Sequence, residues 1–461
     1  MKNYYYGLLF LMAVFCIWFV PLYIPYGGVT SDSVHYFRLA EQIPHVTWSI
    51  FPLGYPLLLK LFHLFNGDWF WTGKLSGIII YIVIAAFSYL KKFHFRETII
   101  LLMTKIFFYS FFNIISEGLF LALMYFLFYY LYQFFEGNRK GVRFYIPAAI
   151  LVAIMFSVRY SAVYLLVGMG LFYLWWFVKR RKEINFFRND YFLFLLYSAV
   201  GIGVYMIFNY LNFGDFAGEK YRAKPYMTGI GEDFFRNVVS VFNSFNPVLG
   251  IKLQGHSPMV FAVESVLMVI NLIFIYFSVK IWRQYFRKNE GSFHQLLIVM
   301  GLVYTFFSFI TIFFQGIEEL NIRLLAESSS CYFFSLIFIC FKEKRYEKPL
   351  FWLAAFSLIF NSLYVLKVPE NYLKKKNEIE KIYSTMKGKK YYFIDDKDHV
   401  RIETYRIPII NKEVKYEHQN MNEAMVNGSI MMTKDPKVFW ILKDTVKQKR
   451  EVVYSSQLRQ K

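Results

Sequence analysis

Apolar runs close to 20 residues long recur through residues 1–366, and they constrain this chain more than any other feature. A helix of about 20 residues spans the hydrocarbon core of a bilayer, and lipid offers no hydrogen-bond partner to any less regular backbone. We therefore predict an all-α polytopic membrane protein with about eleven transmembrane helices. The predicted spans are 4–24, 73–90, 97–112, 117–135, 143–158, 161–178, 190–209, 259–281, 294–315, 322–341 and 349–366.

Composition supports this class and excludes a soluble one. Hydrophobic residues make up 57% of the 461 residues and aromatic residues 22%, more apolar surface than a soluble domain can bury. A net charge of +20 would suggest nucleic acid in a soluble protein. Here the cations cluster in short loops such as 91–96, 179–182 and 342–348, where they orient helices, so we expect membrane lipid and no nucleic acid as a partner.

The distribution of basic residues also predicts which loops share a side. With the N-terminus inside, every strongly basic short loop lies inside, as the positive-inside rule requires. The outer side then receives loops 25–72 and 210–258 and the short turns near 113–117 and 159. No small-x-small cleavage pattern follows the first run, so we interpret it as an uncleaved anchor. We expect a bacterial inner membrane, with the functional side facing the periplasm or exterior.

Two domains are predicted. Residues 1–366 form the transmembrane domain, and residues 367–461 lose the apolar runs and gain Lys, Asp, Glu and Asn. Strand-like patterns at 391–394 and 438–442 indicate a small α/β or α+β domain on the outer side.

Asp32 follows the first run directly, flanked by Ser31 and Ser33. A carboxylate at the membrane edge can accept a proton from a hydroxyl group, as a general base does. The alternative is structural, because Ser31 or Asp32 could cap a short helix running through His35. Glu117 follows Ser116 at the start of the fourth span and carries the same ambiguity between helix capping and a second functional carboxylate.

Two arginines lie where lipid makes a lone cation costly. Arg159 sits between two apolar runs with almost no loop, and Arg323 opens the tenth span. Such residues usually face a cavity or a partner, and a guanidinium fork suits phosphate. Snorkelling of Arg159 to the interface is its alternative. For Arg323 the alternative is a salt bridge with Glu318 or Glu319.

The long outer loop adds further candidates. Lys220, Arg222 and Lys224 alternate with aromatic and small residues and could meet an anionic headgroup, either at a specific site or by general attraction to anionic lipid. His256 lies near the loop's end without a metal-spaced His/Cys cluster beside it. A single histidine of this kind is more often structural than a ligand.

Several motifs in order resemble those of the polyprenyl-phosphate-dependent glycosyltransferases of the GT-C superfold, in the branch of protein O-mannosyltransferases and aminoarabinose transferases. Asp32 stands where the family has an Asp-containing first outer loop, although Ser33 replaces its second acid. Residues 52–59, Pro-Leu-Gly-Tyr-Pro-Leu-Leu-Leu, are similar to its Pro-Pro-x-Tyr-Pro-Leu signature. Residues 116–120, Ser-Glu-Gly-Leu-Phe, are similar to its Ser-Glu-x-Leu-Phe signature. Arg159 and Arg323-Leu324-Leu325 match two further arginine positions.

This resemblance implies a sugar donor carried on polyprenyl phosphate and a glycan, lipid or protein acceptor. Asp32 would be the base of a single, inverting displacement, and Glu117 would position the acceptor or hold a divalent cation. Phosphate would be bound by Arg159, Arg323, Lys220 and Arg222. His35, Tyr36, Tyr55 and His256 are assigned to the donor and acceptor pocket. No cofactor is otherwise expected, and no nucleotide-sugar fingerprint is present.

Other functions remain open at this point. A transporter or flippase of lipid-linked saccharides would show paired halves and broken helices, and the sequence has no duplicated halves. A polysaccharide polymerase or ligase would use a lipid diphosphate donor. A structural envelope subunit would tolerate substitution of its outer arginines.

Overall fold

The computed structural model shows a helical bundle. It describes residues 2–46, 49–180, 185–222, 231–248, 258–288, 291–315, 319–344, 346–374 and 376–377, together with four short strands between 402 and 460.

Fifteen α-helices lie in these ranges. They are α1 Asn3–Phe19, α2 Ser31–Gln42, α3 Gly54–Asn66, α4 Trp69–Leu90, α5 Phe95–Leu102, α6 Lys105–Phe112, α7 Ser116–Phe135, α8 Val142–Val158, α9 Ala162–Lys179, α10 Asp190–Phe213, α11 Glu232–Asn243, α12 Pro258–Lys288, α13 Ser292–Phe314, α14 Ala326–Lys342 and α15 Glu347–Val365. Single 3-10 turns follow α1 at Val20–Tyr23 and precede α11 at Glu219–Tyr221.

Eight helices in the described part of the chain are long and apolar enough to cross a membrane. They are α1 with its 3-10 extension, α4, α7, α9, α10, α12, α13 and α15. The expectation of a helical, multi-pass membrane protein is therefore met, whereas the count of eleven spans stays a prediction. The predicted span 97–112 is divided into α5 and α6, and α8 and α14 have 17 residues each.

The bundle buries an aromatic-rich core and exposes apolar side chains outward. Phe70, Tyr81 and Phe128 are fully buried, and they belong to one large cluster that links most of the helices. On α12, by contrast, Val266 and Phe277 are exposed. An exposed apolar surface of this extent suits contact with lipid.

The segment after α15 returns to the first loop. The Glu370 N–H donates to the Tyr23 carbonyl at 2.9 Å, and the fully buried Tyr372 ring packs against Gly27. A Cβ on Gly27 would lie 2.6 Å from that ring, so the contact depends on glycine. Lys376 Nζ then contacts Asp68 Oδ2 at 2.6 Å. We call residues 370–376 the tail anchor.

Farther along, four strands are described. They are β1 Ile402–Tyr405, β2 Val414–Lys415, β3 Glu451–Tyr454 and β4 Arg459–Gln460. β1 pairs in parallel with β3, and β2 pairs antiparallel with β4. The strands predicted at 391–394 and 438–442 lie outside the described residues. A separate domain at 367–461 remains a prediction.

Candidate active site

Five charged side chains from four parts of the chain meet at helix ends. Arg323 contacts Asp32 Oδ2 through Nη2 at 2.6 Å and Glu117 Oε1 through Nε at 3.0 Å. Arg159 contacts the same Glu117 oxygen through Nη1 at 2.5 Å and Glu327 Oε1 through Nε at 3.1 Å. We call these five residues the charge network. Three carboxylates against two guanidinium groups give the network a formal charge of −1 when all are ionised.

Burial makes these ion pairs consequential. Glu117 and Glu327 are at most 1% exposed and Asp32 is 6% exposed. Burying charges this deeply costs several kcal/mol each unless a partner compensates. Every member of the network has an oppositely charged partner, so none is left as an isolated buried charge.

Local sequence places Asp32 in the first turn of α2. Thr30, not Ser31 or Asp32, is the cap: its hydroxyl accepts from the Ser33 N–H at 3.2 Å, and Ser33 Oγ accepts from the Thr30 N–H at 2.8 Å. This capping box leaves the Asp32 carboxylate available to Arg323. The capping alternative for Asp32 is therefore wrong, because the neighbouring threonine does that work.

Hydrogen bonds connect the start of α2 with the start of α7. Ser33 Oγ donates to the Ile114 carbonyl at 2.5 Å, and the Ile114 N–H donates to the Gly28 carbonyl at 2.9 Å. Ser116 makes no capping bond. Its hydroxyl instead bonds Tyr36 at 2.9 Å, one helical turn beyond Asp32 on α2. These bonds hold the two acid-bearing helix starts side by side.

Tyr36 and Tyr55 line the wall beside the acids. Their rings meet edge to face at 5.0 Å, and both side chains are buried. Burial raises the pKa of the Tyr36 phenol above its usual value, and the charges of Asp32 and Glu117 raise it further. Burial likewise raises the pKa of Tyr55. Both phenols therefore stay protonated and can donate hydrogen bonds.

Glycine in the Pro-Leu-Gly-Tyr-Pro motif allows this arrangement. A Cβ on Gly54 would lie 2.6 Å from the Ser157 carbonyl, at the last turn of α8. The start of α3 can therefore approach the end of α8, two residues before Arg159. Tyr55 follows immediately and reaches Tyr36.

The turn before α14 positions the second arginine. Asn321 Oδ1 accepts from the backbone N–H groups of Arg323 and Leu324 at 2.9 and 3.0 Å. Glu327 then enters in the first turn of α14. Of the two alternative acidic partners considered for Arg323, Glu319 lies 3.7 Å from Arg236, and Glu318 is outside the described residues.

Sequence reasoning missed Glu327. An acid at the start of an apolar run, four residues after Arg323, is the signal that could have found it, because an ionisable residue in a membrane segment needs a reason to be there.

Lys220 and Arg222 have different surroundings. In the part of the chain that the structure describes, neither of them forms an ion pair. The exposed Lys220 donates its backbone N–H to Asp215 Oδ2 at 2.6 Å, and the Arg222 guanidinium bonds Gln315 Oε1 and the Ala217 carbonyl. Asn209 connects the loop to the residue after Arg159: its amide donates to the Tyr160 hydroxyl at 3.0 Å and to the Phe216 carbonyl at 2.8 Å.

Of the two predicted histidines, one lies in the part of the chain that the structure describes. His35 is half-buried on α2, with its ring 6.1 Å from that of Phe51. His256 lies outside the described residues.

A divalent cation does not fit the network as it stands. Glu117 Oε1 contacts both arginines, and the other two carboxylates each contact one. In the part of the chain that the structure describes, no group of three or more His, Cys, Asp or Glu side chains is arranged to hold a metal ion. The idea that Glu117 holds a cation is therefore carried no further.

In the network, a carboxylate that can take a proton contacts a guanidinium group that can bind an anion. Comparison with known proteins adds no identification: no protein-family model and no curated protein sequence matches this chain.

Proposed function

We propose that the charge network is the active site of a membrane glycosyltransferase. The observation that supports this is the meeting of Asp32, Glu117, Arg159 and Arg323 in one cluster of ion pairs. In this arrangement a carboxylate that could accept a proton would lie beside two guanidinium groups that could bind phosphate. The donor would be a sugar on polyprenyl phosphate and the acceptor a hydroxyl group of a glycan, lipid or protein.

In the proposed step, Asp32 takes the proton of the acceptor hydroxyl while its oxygen bonds to the anomeric carbon. The bond from that carbon to phosphate oxygen breaks, and polyprenyl phosphate leaves as an anion that needs no proton near neutral pH. A single displacement of this kind inverts the anomeric centre. Tyr36 and Tyr55 would border the sugar.

The ion pair between Arg323 and Asp32 has a consequence for this mechanism. Asp32 Oδ2 contacts Arg323 Nη2 at 2.6 Å, so an acceptor hydroxyl would compete with the guanidinium group for this oxygen. Donor phosphate would compete for Arg323 and Arg159, and its binding would release Asp32 to accept the proton. Base activation would thus depend on donor binding.

Location and orientation belong to the same proposal. The basic loops favour an outward-facing site in a bacterial inner membrane. Lys220, exposed on the 215–222 loop, would reach the phosphate from the aqueous side.

The direct test is Asp32→Asn, assayed in membranes with a panel of polyprenyl-phosphate sugars and separation of products by thin-layer chromatography. Loss of a general base lowers turnover by about 100- to 10,000-fold. Glu41→Gln is the matched control, since Glu41 is an exposed acid on the same helix. Wild-type turnover by Asp32→Asn at normal expression would remove Asp32 from the mechanism.

One observation favours a second candidate, a transporter or flippase of lipid-linked saccharides. The break between α5 and α6 divides a single apolar run, and the Lys105 N–H there donates to the Pro247 carbonyl at 2.9 Å. Interrupted helices are typical of transporters. Movement of labelled lipid-linked sugar across proteoliposomes without a covalent product would support transport over transfer.

A further inference from the structure

Helix α11, between α10 and α12, contacts residues 319–325, which we call the Arg323 turn. Both backbone polar groups of Leu320 in this turn bond to side chains of α11. The Leu320 N–H donates to Asn237 Oδ1 at 2.7 Å, and Ser240 Oγ donates to the Leu320 carbonyl at 2.7 Å. Asn237, Ser240 and Leu320 are each 1% exposed, so these bonds lie in a low-dielectric setting where they are stronger than in water.

Two further contacts extend this attachment along the helix. Arg236 Nη2 lies 3.7 Å from Glu319 Oε2, so consecutive residues of α11 meet consecutive residues of the Arg323 turn. Val241 of α11 packs against a buried apolar cluster that includes Leu320 and Leu325. An ion pair, two hydrogen bonds and an apolar contact therefore fix the position of the turn against α11.

The same turn leads directly to the charge network. Within it, Asn321 Oδ1 accepts from the N–H groups of Arg323 and Leu324. The Arg323 guanidinium group then contacts Asp32 through Nη2 and Glu117 through Nε. A continuous series of contacts thus runs from α11 through the Arg323 turn to the guanidinium group. A displacement of the turn would move Arg323 relative to both acids.

Other buried polar side chains at the end of α11 bond elsewhere. Asn243 Oδ1 accepts from Asn271 Nδ2 of α12 at 2.6 Å, and Asn271 Oδ1 accepts from Asn246 Nδ2 at 2.8 Å. Ser244 Oγ donates to the Val241 carbonyl in the last turn of α11 at 2.6 Å. None of these three bonds reaches the Arg323 turn. They therefore provide matched controls, because they stabilise α11 without holding the turn.

We propose that Asn237 and Ser240 are positioning residues for Arg323. They hold the backbone of the Arg323 turn, and through it they place the guanidinium group where it can meet both Asp32 and the phosphate of a lipid-linked donor. The phosphate part of this inference rests on the proposed glycosyltransferase function. The coupling to Arg323 does not, because the ion pairs of Arg323 with Asp32 and Glu117 are contacts of the structure itself.

The first experiment measures the binding of farnesyl phosphate, a short polyprenyl phosphate without a sugar, to the purified protein in detergent. The dissociation constant is obtained from the saturable rise in melting temperature. Asn237→Ala and Ser240→Ala should each weaken binding by about 3- to 10-fold, because each removes one buried hydrogen bond to the turn. The controls Asn243→Ala and Ser244→Ala should retain wild-type binding. Equal weakening in all four variants would overturn the positioning role, since a general loosening of α11 would then explain the effect.

The second experiment needs no donor. Thermal denaturation gives the loss of melting temperature caused by Arg323→Met in the wild-type background and in each of the four α11 variants. Because Asn237→Ala and Ser240→Ala would already weaken the ion pairs of Arg323, Arg323→Met should cost less in these two backgrounds. It should cost as much as in the wild type in the Asn243→Ala and Ser244→Ala backgrounds.

The two experiments separate the two proposals. An equal cost of Arg323→Met in all backgrounds would overturn the coupling between α11 and Arg323. A reduced cost in the Asn237→Ala and Ser240→Ala backgrounds, without binding of farnesyl phosphate by the wild-type protein, would support the coupling and count against the proposed function. Ser240→Ala removes a single oxygen atom, so it keeps the test available if Asn237→Ala does not fold.

Discussion

The charge network and the 215–222 loop use the same residue types for different purposes. In the network, carboxylates and guanidinium groups from distant parts of the chain pair with one another in a buried setting. In the loop, Asp215 accepts from the backbone N–H groups of Ala217, Gly218 and Lys220 and so holds its own segment. The comparison teaches that a cluster of charges in sequence predicts local loop structure better than it predicts a binding site, whereas single charges isolated in apolar surroundings predict a long-range partner.

The pKa values of the two loop acids, Asp215 and Glu219, are set mainly by groups of the loop itself. Burial opposes ionisation of Asp215, but hydrogen bonds from the Glu219 side chain and from the Lys220 and Ala217 N–H groups bring its pKa down to about 2. Burial and the bond to Asp215 raise the pKa of Glu219. The two carboxyl groups thus influence each other's pKa, and both accept from the Ala217 N–H.

The largest expected effect comes from Arg323→Met. It leaves Asp32 without its guanidinium partner, and breaking a buried pair costs about 3–5 kcal/mol of stability. Arg222→Met is the loop counterpart and should cost about 1 kcal/mol, the usual worth of a hydrogen-bonding side chain. Thermal denaturation in detergent compares the two variants. Equal losses of stability would contradict the difference between network and loop.

Asp32→Asn combined with Arg323→Met tests whether the network behaves as a unit. Because each single change already breaks the Asp32–Arg323 ion pair, the double variant should be more stable than the sum of the two single losses predicts. Additive losses would show that Asp32 and Arg323 are not coupled in solution.

Glu327→Gln should cost about 1–3 kcal/mol, because the amide keeps a hydrogen-bond acceptor for Arg159 but removes the charge. Glu97→Gln is a suitable reference, since Glu97 meets only the half-exposed His94 at 3.3 Å and should change stability by less than about 1 kcal/mol. Thermal denaturation in detergent measures the stability of both variants. If Glu327→Gln matched its reference, Glu327 would not belong to the network.

Asp215→Asn tests how the stability of the 215–222 loop depends on pH. A folded-state pKa of about 2 lies below the unfolded value, so the contribution of Asp215 is present above about pH 4 and is lost as pH falls toward 2. The asparagine variant should lose about 1 kcal/mol near neutral pH and little further on acidification. Protease sensitivity of the loop across pH 2–7 would report this, and a variant that follows the wild-type pH dependence would contradict it.

Lys220→Ala should have the smallest effect on stability, within about 0.5 kcal/mol, because its side chain is exposed. If the loop contributes to donor binding as proposed, the KM for the lipid-linked sugar should rise a few-fold. The free energy of unfolding should change little. An unchanged KM would restrict phosphate binding to residues of the network.

Much of the fold follows from hydrophobic pattern alone. Each predicted span contains a helix, since a 20-residue apolar run has few other ways to satisfy its backbone. The division of the third span was missed because Met103 and Thr104 carry no local breaking signal. The bond from the Lys105 N–H to the Pro247 carbonyl, far away in sequence, occurs at this break.

The outer loops were less predictable. Helices α2, α3 and α11 lie in segments that the sequence suggested only as loops or, for α2, as a short helix. α11 buries the polar side chains of Asn237 and Asn243 together with the apolar Val239, so its buried face mixes polar and apolar residues. Burial of a polar face depends on the surrounding helices, which no local pattern reveals.

For the site, isolated charges were the informative signal. Four charges could be singled out because each lies next to the end of an apolar run, and the structure brings all four together: Asp32, Glu117, Arg159 and Arg323.

The tail anchor attaches the segment after α15 to the first loop, so that the two segments move together. Tyr372 fills the space above Gly27, and Gly28 next to it bears on Lys74 and on the turn before Glu117. A pull on the chain beyond residue 377 would therefore act first on the segment that leads into Asp32. The segment after α15 is therefore attached to the end of the bundle that carries the charge network.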